Sequence, residues 1–235
     1  MVSSPVVEAP WRTALRGARA TIGPGLVLQV AALALVLAYY HHVPTRTWLE
    51  RLAEFRAEKG FLFGIISTGA VGGLLPFLYL RSRSATRGRY TWGQGAGLVA
   101  FWAYKGLEIE IFYRFLARVV GERADLPTIL TKMGIDQFLY CPFFAVPTTV
   151  LVYAWVDAHY HVAPVAKDFL QPRWYQRRVL PTLISNVAVW VPAVCLIYAL
   201  PTPLQLPMQN LVLCFFTLML AHVISRPAPT NAANG

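Results

Sequence analysis

The chain has 235 residues, of which 56% are hydrophobic and only 14% charged, against roughly 45–50% and about 25% in a soluble globular domain. This balance excludes a disordered chain, a collagen-like fibre and a small disulfide scaffold, and the length allows one domain or at most two small ones. Lys and Arg number 21 against 11 acids, for a net charge of +10, but the cations lie mainly between apolar blocks, so the partner they imply is the anionic surface of a lipid bilayer and not nucleic acid.

Residues 1–21 form a basic tail, with Arg12, Arg16 and Arg19 ahead of the first apolar block. Blocks free of Asp, Glu, Lys and Arg then run over 22–40, 60–80, 138–156, 179–200 and 208–225; the last holds His222 as its one titratable group apart from a cysteine. A spanning helix needs about 20 predominantly apolar residues, and in lipid only a helix satisfies its own backbone. Each block is therefore predicted to cross the membrane. A sixth segment, 93–117, is apolar and aromatic but carries Lys105, Glu108, Glu110 and Arg114, which makes it the weakest span. The expected fold is all-α, a transmembrane bundle of five or six spans forming one domain over 22–225, with a disordered polar tail at 226–235.

The first block is longer than a signal-peptide core. It ends Tyr39-Tyr40-His41-His42 with no small-residue cleavage site, so it is read as a retained span. Thr47-Trp48-Leu49-Glu50 has capping-box spacing, and Trp48, Leu52 and Phe55 then share a helical face, which predicts a short interfacial helix near 47–58. Pro172 to Arg178 alternates aromatics and cations just ahead of a span and reads as an interface anchor. With six spans, the cations concentrate on the side holding the N-terminus, 81–89 and 167–178, which puts both termini on the cytoplasmic or matrix side.

Ionisable side chains inside a span cost about 2.5–3.5 kcal/mol each at mid-helix on insertion scales, so those present need a reason. Lys105 and Glu108 are i, i+3 neighbours; Glu110 and Arg114 are i, i+4 with the acid first, the favourable order. The two pairs lie on roughly opposite sides of the helix. Lys105 and Glu108 either neutralise each other or line a water-filled path. Glu110 and Arg114 read as a structural ion pair with Arg114 snorkelling. Lys132 and Asp136 repeat the i, i+4 spacing, and Asp136 is expected to be buried and paired with a basic group, a Gln or an Asn. Asp136-Gln137 precedes Pro142 and Pro147, and Ser185-Asn186 precedes Trp190 and Pro192, so both helices should be kinked just beyond a polar pair. Asn186 serves equally as an interhelical hydrogen-bonding group.

Other chemistry finds little support. Cys141, Cys195 and Cys214 each sit in an apolar block with no C-x-x-C, so neither a disulfide nor a zinc site is implied. His41-His42 and His159-x-His161 lie in interfacial loops without a ligand cluster, and no metal or cofactor is expected. There is no phosphate-binding G-x-x-x-x-G-K-[ST], nucleophile-elbow G-x-S-x-G or zinc-binding H-E-x-x-H pattern. Gly69, Gly72, Gly73 and the Gly93-x-Gly95-x-Gly97 run suit close helix packing.

One pattern remains. Lys132-x-x-x-Asp136-Gln137 with Pro142, followed by Trp174, Pro181, Leu183, Ser185-Asn186, Trp190 and Pro192, and preceded by Phe112-Tyr113-Arg114, resembles the Mpv17/PMP22 family of small integral membrane proteins over roughly 60–225. The family's G-D-x-x-x-Q of the first span has no counterpart here, and the block at 22–40 is extra. The resemblance implies a multi-pass protein of a mitochondrial inner, peroxisomal or bacterial inner membrane. It also implies a channel-like role for small solutes and no enzymatic chemistry. Lys105, Glu108, Asp136, Gln137 and Asn186 would be its polar lining, with Pro142 and Pro192 shaping the helices; a homo-oligomer is compatible with it. Two other readings stay open: a small membrane enzyme using Glu108 or Asp136 as an acid on a lipid-like substrate, and a non-conducting scaffold. A carboxylate alone in an apolar cavity would favour the enzyme, and charges that are all paired and packed would favour the scaffold.

Overall fold

The computed structural model describes the backbone of residues 10–225 and the side chains of residues 25–218. The rest of the basic tail, residues 1–9, and the polar tail 226–235 lie outside the described residues. The described chain is helical, with no strand: α1 (Pro10–His41), α2 (Val43–Lys59), α3 (Phe61–Ser82), α4 (Trp92–Val120), α5 (Leu126–Asp157), α6 (Val162–Phe169), α7 (Tyr175–Tyr198) and α8 (Thr202–Ser225). A helix thus occupies every apolar block. Three of them, α3, α5 and α7, are long and apolar enough to cross a membrane, and Gly25–His41 with Val43–Lys59 makes a fourth if that pair, bent by 100°, counts as one span. Of the other expected spans, α4 carries Lys105, Glu108, Glu110 and Arg114 within its apolar run, and the block at 208–225 lies partly outside the residues whose side chains are described. The helices form two compact units, one of Met1–Arg46 with Leu116–Thr202, the other of Thr47–Phe115 with Pro203–Gly235.

In the first unit α1 packs along α7. Leu28, Ala32 and Val36, one turn apart, are buried, while Val27, Val30 and Leu37 are exposed, as on a helix with one face toward protein and one toward lipid. Gln29 Nε2 donates to the Val189 carbonyl at 2.8 Å and Tyr40 Oη to that of Ala199 at 2.5 Å. The end of α1 is closed by Arg46, whose guanidinium reaches the carbonyls of Tyr39 and Tyr40 at 3.0 and 2.6 Å, satisfying groups that a helix terminus leaves open. A small core of Cys141, Val146 and Val179, with Tyr140, Trp174 and Leu183 against it, joins α5 to α7. The anchor segment expected over 172–178 is partly drawn into α7, and Arg177 and Arg178 meet Asp168 of the exposed helix α6.

In the second unit α2 covers the interfacial helix expected near 47–58, with Trp48 and Phe55 exposed and Leu49 and Arg56 buried. Gly60, at φ +56°, separates it from α3. The packing of α3 on α4 depends on glycine. A Cβ on Gly106 would lie 2.1 Å from the Gly64 carbonyl oxygen, and one on Gly73 2.7 Å from Val99 Cα. Both obstacles are backbone, so neither can step aside, and this closeness is what small residues give membrane helices.

Gly106→Val should therefore lower the stability of the detergent-purified protein by about 1–3 kcal/mol, read as a drop in melting temperature. Gly134→Ala, where a Cβ meets nothing within 4 Å, should be neutral or stabilising by up to about 1 kcal/mol.

The start of α5 carries a pH-dependent cap. Asp125 Oδ1 accepts from the Thr128 backbone N–H at 3.0 Å; this bond first, the Thr128 side chain next, and then the Arg123 guanidinium hold the carboxyl below its usual range. A depressed folded-state pKa contributes stability above the ordinary carboxylate value of about 4 and loses it as the pH falls through the lower folded value. Amide-exchange protection of the first turn of α5 should accordingly persist at neutral pH and fade below about pH 4, and Asp125→Asn should abolish that pH dependence.

Candidate functional site

Pro142 has no N–H to give the carbonyl of Phe138, and its ring crowds the preceding turn. Here α5 answers by widening into π-helical turns over Asp136–Ala145. The widening decides which side chains meet. In a regular helix residues 136 and 141 would point about 140° apart; the wider i→i+5 turn brings them onto one face. Asp136, Gln137 and Cys141 are all buried on this stretch.

Asp136 is the centre of the cluster that results, and it is 5% exposed. Tyr198 Oη, from the end of α7, donates to its Oδ2 at 2.5 Å. Gln137 Nε2 at 3.2 Å and Cys141 Sγ at 3.5 Å approach its Oδ1. Asn186 Nδ2 lies 3.9 Å from Cys141 Sγ, and Gln137 Nε2 3.6 Å from it. The carboxylate thus has the polar partners a buried charge requires, Gln137 among them. Lys132 is not one. Among the described residues it forms no ion pair with Asp136; the ammonium of this residue, 1% exposed, lies 5.8 Å from the centre of the Tyr198 ring, a cation–π contact. The i, i+4 spacing misleads here: both side chains meet Tyr198, Lys132 at its ring and Asp136 at its hydroxyl. Gln137 Oε1 is buried without a hydrogen-bond partner among the described residues. Pro192 sits inside α7 without interrupting it.

The second unit holds the other ionisable groups. Lys105 Nζ and Glu108 Oε1 are 2.5 Å apart, both nearly buried. Glu110 is completely buried and takes two cations: Arg56 Nη2 at 2.6 Å and Arg114 Nε at 2.8 Å. Arg114 keeps 44% of its side chain exposed and stacks 4.7 Å over Phe61, so it snorkels while Glu110 does not. Local spacing found Arg114 but not Arg56, which arrives from a different helix 54 residues away.

Sequence reasoning also passed over a polar row at the start of α8. Gln205, Gln209 and Asn210 are buried. Tyr113 Oη donates to Gln209 Oε1, Thr68 Oγ1 to Asn210 Oδ1 at 2.9 Å, and Asn210 Nδ2 to Ser67 at 2.8 Å. The signal was present: Gln205 and Gln209 are i, i+4. They were overlooked because amides carry no charge and sit where an apolar block begins. Of the five expected lining residues, then, Asp136, Gln137 and Asn186 converge in the first unit around Cys141, whereas Lys105 and Glu108 pair in the second. Among the described residues no three His, Cys, Asp or Glu side chains come together as a metal site.

Tyr198→Phe removes the donor to Asp136 Oδ2 while keeping the ring, and should destabilise the detergent-purified protein by about 1–3 kcal/mol. Asp136→Ala should lower the melting temperature as well, whereas Asn186→Ala should cost about 0.6 kcal/mol. Thermal unfolding of the three variants side by side gives the ranking.

No family model and no solved structure matches the chain. Among curated proteins, Protein SYM1 of Debaryomyces hansenii is 33% identical over 61 residues, which cover 26% of this chain and 27% of the yeast protein. The match thus spans about a quarter of that relative's length. SYM1 is a member of the Mpv17/PMP22 family, and the likeness is a weak, partial hint toward that family.

Proposed function

We propose that this chain is a divergent Mpv17/PMP22-family membrane protein with channel-like activity toward small solutes. Three membrane-length apolar helices support its place in a bilayer. The D-Q…P and S-N…W-x-P pattern and the likeness to SYM1 support the family. The observation that carries the channel reading is the concentration of buried polar side chains in otherwise apolar helices: Lys105, Glu110, Asp136, Gln137, Gln205, Gln209 and Asn210. An interhelical hydrogen bond in a membrane contributes only about 0.6 kcal/mol on average. Helix association alone therefore gives little reason to keep so many costly groups, and lining a solute path does. In this reading Lys105, Glu108, Asp136, Gln137 and Asn186 contact the solute, Pro142 and Pro192 shape the helices that present them, and α4 and α8 are additional spans. Both termini lie on the cytoplasmic or matrix side of a mitochondrial inner, peroxisomal or bacterial inner membrane.

A second reading, a non-conducting scaffold, draws on the pairing of charges in Arg56–Glu110–Arg114 and Lys105–Glu108. The enzyme reading lacks its distinguishing feature: Asp136 accepts from three donors and Glu108 meets Lys105, so neither is a carboxylate alone among apolar groups.

Planar-bilayer recording separates the two readings. Purified wild type should conduct, and Glu108→Gln should shift the cation-to-anion preference toward anions by leaving Lys105 uncompensated. The double variant Lys105→Gln/Glu108→Gln should return it toward the wild-type value. No current from well-folded wild type at any voltage would establish the scaffold.

A further inference from the structure

Between α3 and α4 the chain displays arginines on a built support. Arg81, Arg83, Arg87 and Arg89 fall within nine residues, and no Asp or Glu occurs from Gly60 to Leu107. Among the described residues none of the four forms an ion pair. The segment is held in shape from inside. Two successive turns close it, Thr86 N to the Arg83 carbonyl at 3.1 Å and Arg89 N to the Thr86 carbonyl at 3.0 Å. The buried Thr86 hydroxyl donates to the Leu80 carbonyl at 2.7 Å. Tyr90 is buried, and its carbonyl accepts from Arg81 Nη1 at 3.4 Å. Beyond it Thr91 and Gln94 cap α4 reciprocally: Gln94 Oε1 takes the Thr91 N–H at 2.9 Å and Thr91 Oγ1 the Gln94 N–H at 3.2 Å.

Aromatic rings set the posture of the cations. The Arg81 guanidinium lies 4.3 Å over Trp92, that of Arg83 5.0 Å over Tyr79, and that of Arg89 5.6 Å over Tyr90. Arg83 Nη2 also donates to Tyr79 Oη at 3.0 Å. A guanidinium held against a ring by its cation–π contact retains N–H donors for a phosphate, and on Arg83 these are the ones other than the Nη2 bond to Tyr79. Arg83, Arg87 and Arg89 are exposed, and so is Trp92, at 62%. The segment directly follows α3, a helix of membrane length whose Leu74, Leu75 and Leu78 are exposed. Trp and Tyr at such a boundary mark headgroup depth.

We propose that residues 81–92 bind the phosphate of an anionic phospholipid, with Arg83, Arg87 and Arg89 on the headgroup and Trp92 and the exposed leucines of α3 beside its acyl chains. Phosphate alone would be served by the arginines. The apolar surface continuous with them selects a lipid. The site requires α3 to be embedded but does not require that the protein conducts, so it stands or falls separately from the channel reading.

The full chain in phosphatidylcholine nanodiscs, titrated with short-chain phosphatidylglycerol, tests this by native mass spectrometry and by melting temperature. Wild type should bind and gain stability, and additional phosphatidylcholine should do neither. Arg83→Gln/Arg87→Gln/Arg89→Gln should weaken binding by more than about tenfold. Arg87→Gln alone should weaken it about fivefold, the weight of one cation at an anionic surface; it touches none of the bonds that shape the segment and so guards against misfolding of the triple variant. A control triple, Arg51→Gln/Arg118→Gln/Lys167→Gln, removes the same charge from other exposed positions and should bind as wild type does. Equal loss in the control would reduce the effect to net charge and overturn the site. Reproduction of the stabilisation by inorganic phosphate at the same concentration would assign the segment to the free anion and overturn the lipid.

Discussion

The carboxylate of Asp136 needs donors that a bilayer cannot supply, and the first unit is organised around providing them. In water an unpaired acid is solvated; in hydrocarbon it is costly enough that its partners have to come from the protein. Meeting that demand sets the local shape of α5. The missing amide of Pro142 widens the helix over Asp136–Ala145, the widened turn brings Cys141 under Asp136, and α7 delivers Tyr198 from its last turn. The same tyrosine ring then lies beneath Lys132, so one side chain reconciles two buried charges that never touch. Proline, the wide turn, the acid and the phenol form a single arrangement.

The second unit solves the same problem with opposite charges in contact. Glu110 has no exposure to water and binds two guanidinium groups, one from its own helix and one from α2. A buried ion pair is weak evidence for stability but strong evidence for placement, because losing one member strands the other. Arg56 is therefore what ties α2 to α4. The close approach of α3 to α4 has a different basis: Gly64 and Gly106 are small enough for two backbones to meet.

These features bear on function through what they do to solutes and lipids. The buried polar groups give the helix contacts a chemistry that the surrounding apolar surface lacks, and the proposal of a solute path rests on them. Arg83, Arg87 and Arg89 are exposed instead, on the segment that directly follows the membrane-length helix α3. Lys105, Arg56 and Lys132, which are buried, have an acid or a ring, whereas Arg83, Arg87 and Arg89 have no acid among the described residues, which is the basis for the proposed anionic headgroup.

Much of this was legible in the amino-acid sequence. Blocks free of charge at 22–40, 60–80, 138–156, 179–200 and 208–225 dictate helices, because hydropathy is a property of the local chain and lipid leaves the backbone no alternative. The pairs Lys105–Glu108 and Glu110–Arg114 were also readable, since i, i+3 and i, i+4 neighbours meet within one helix whatever else surrounds it. Tertiary structure decided the rest. Arg56 reaches Glu110 across 54 residues, Tyr198 reaches Asp136 across 62, and Asn210 meets Thr68 across 142, separations over which no local spacing carries information. Lys132 and Asp136 show the limit most clearly: their spacing is right for a pair, yet each meets Tyr198 of a distant helix instead. Periodicity says which residues share a face of a helix; only the packing of one helix against another says what that face meets.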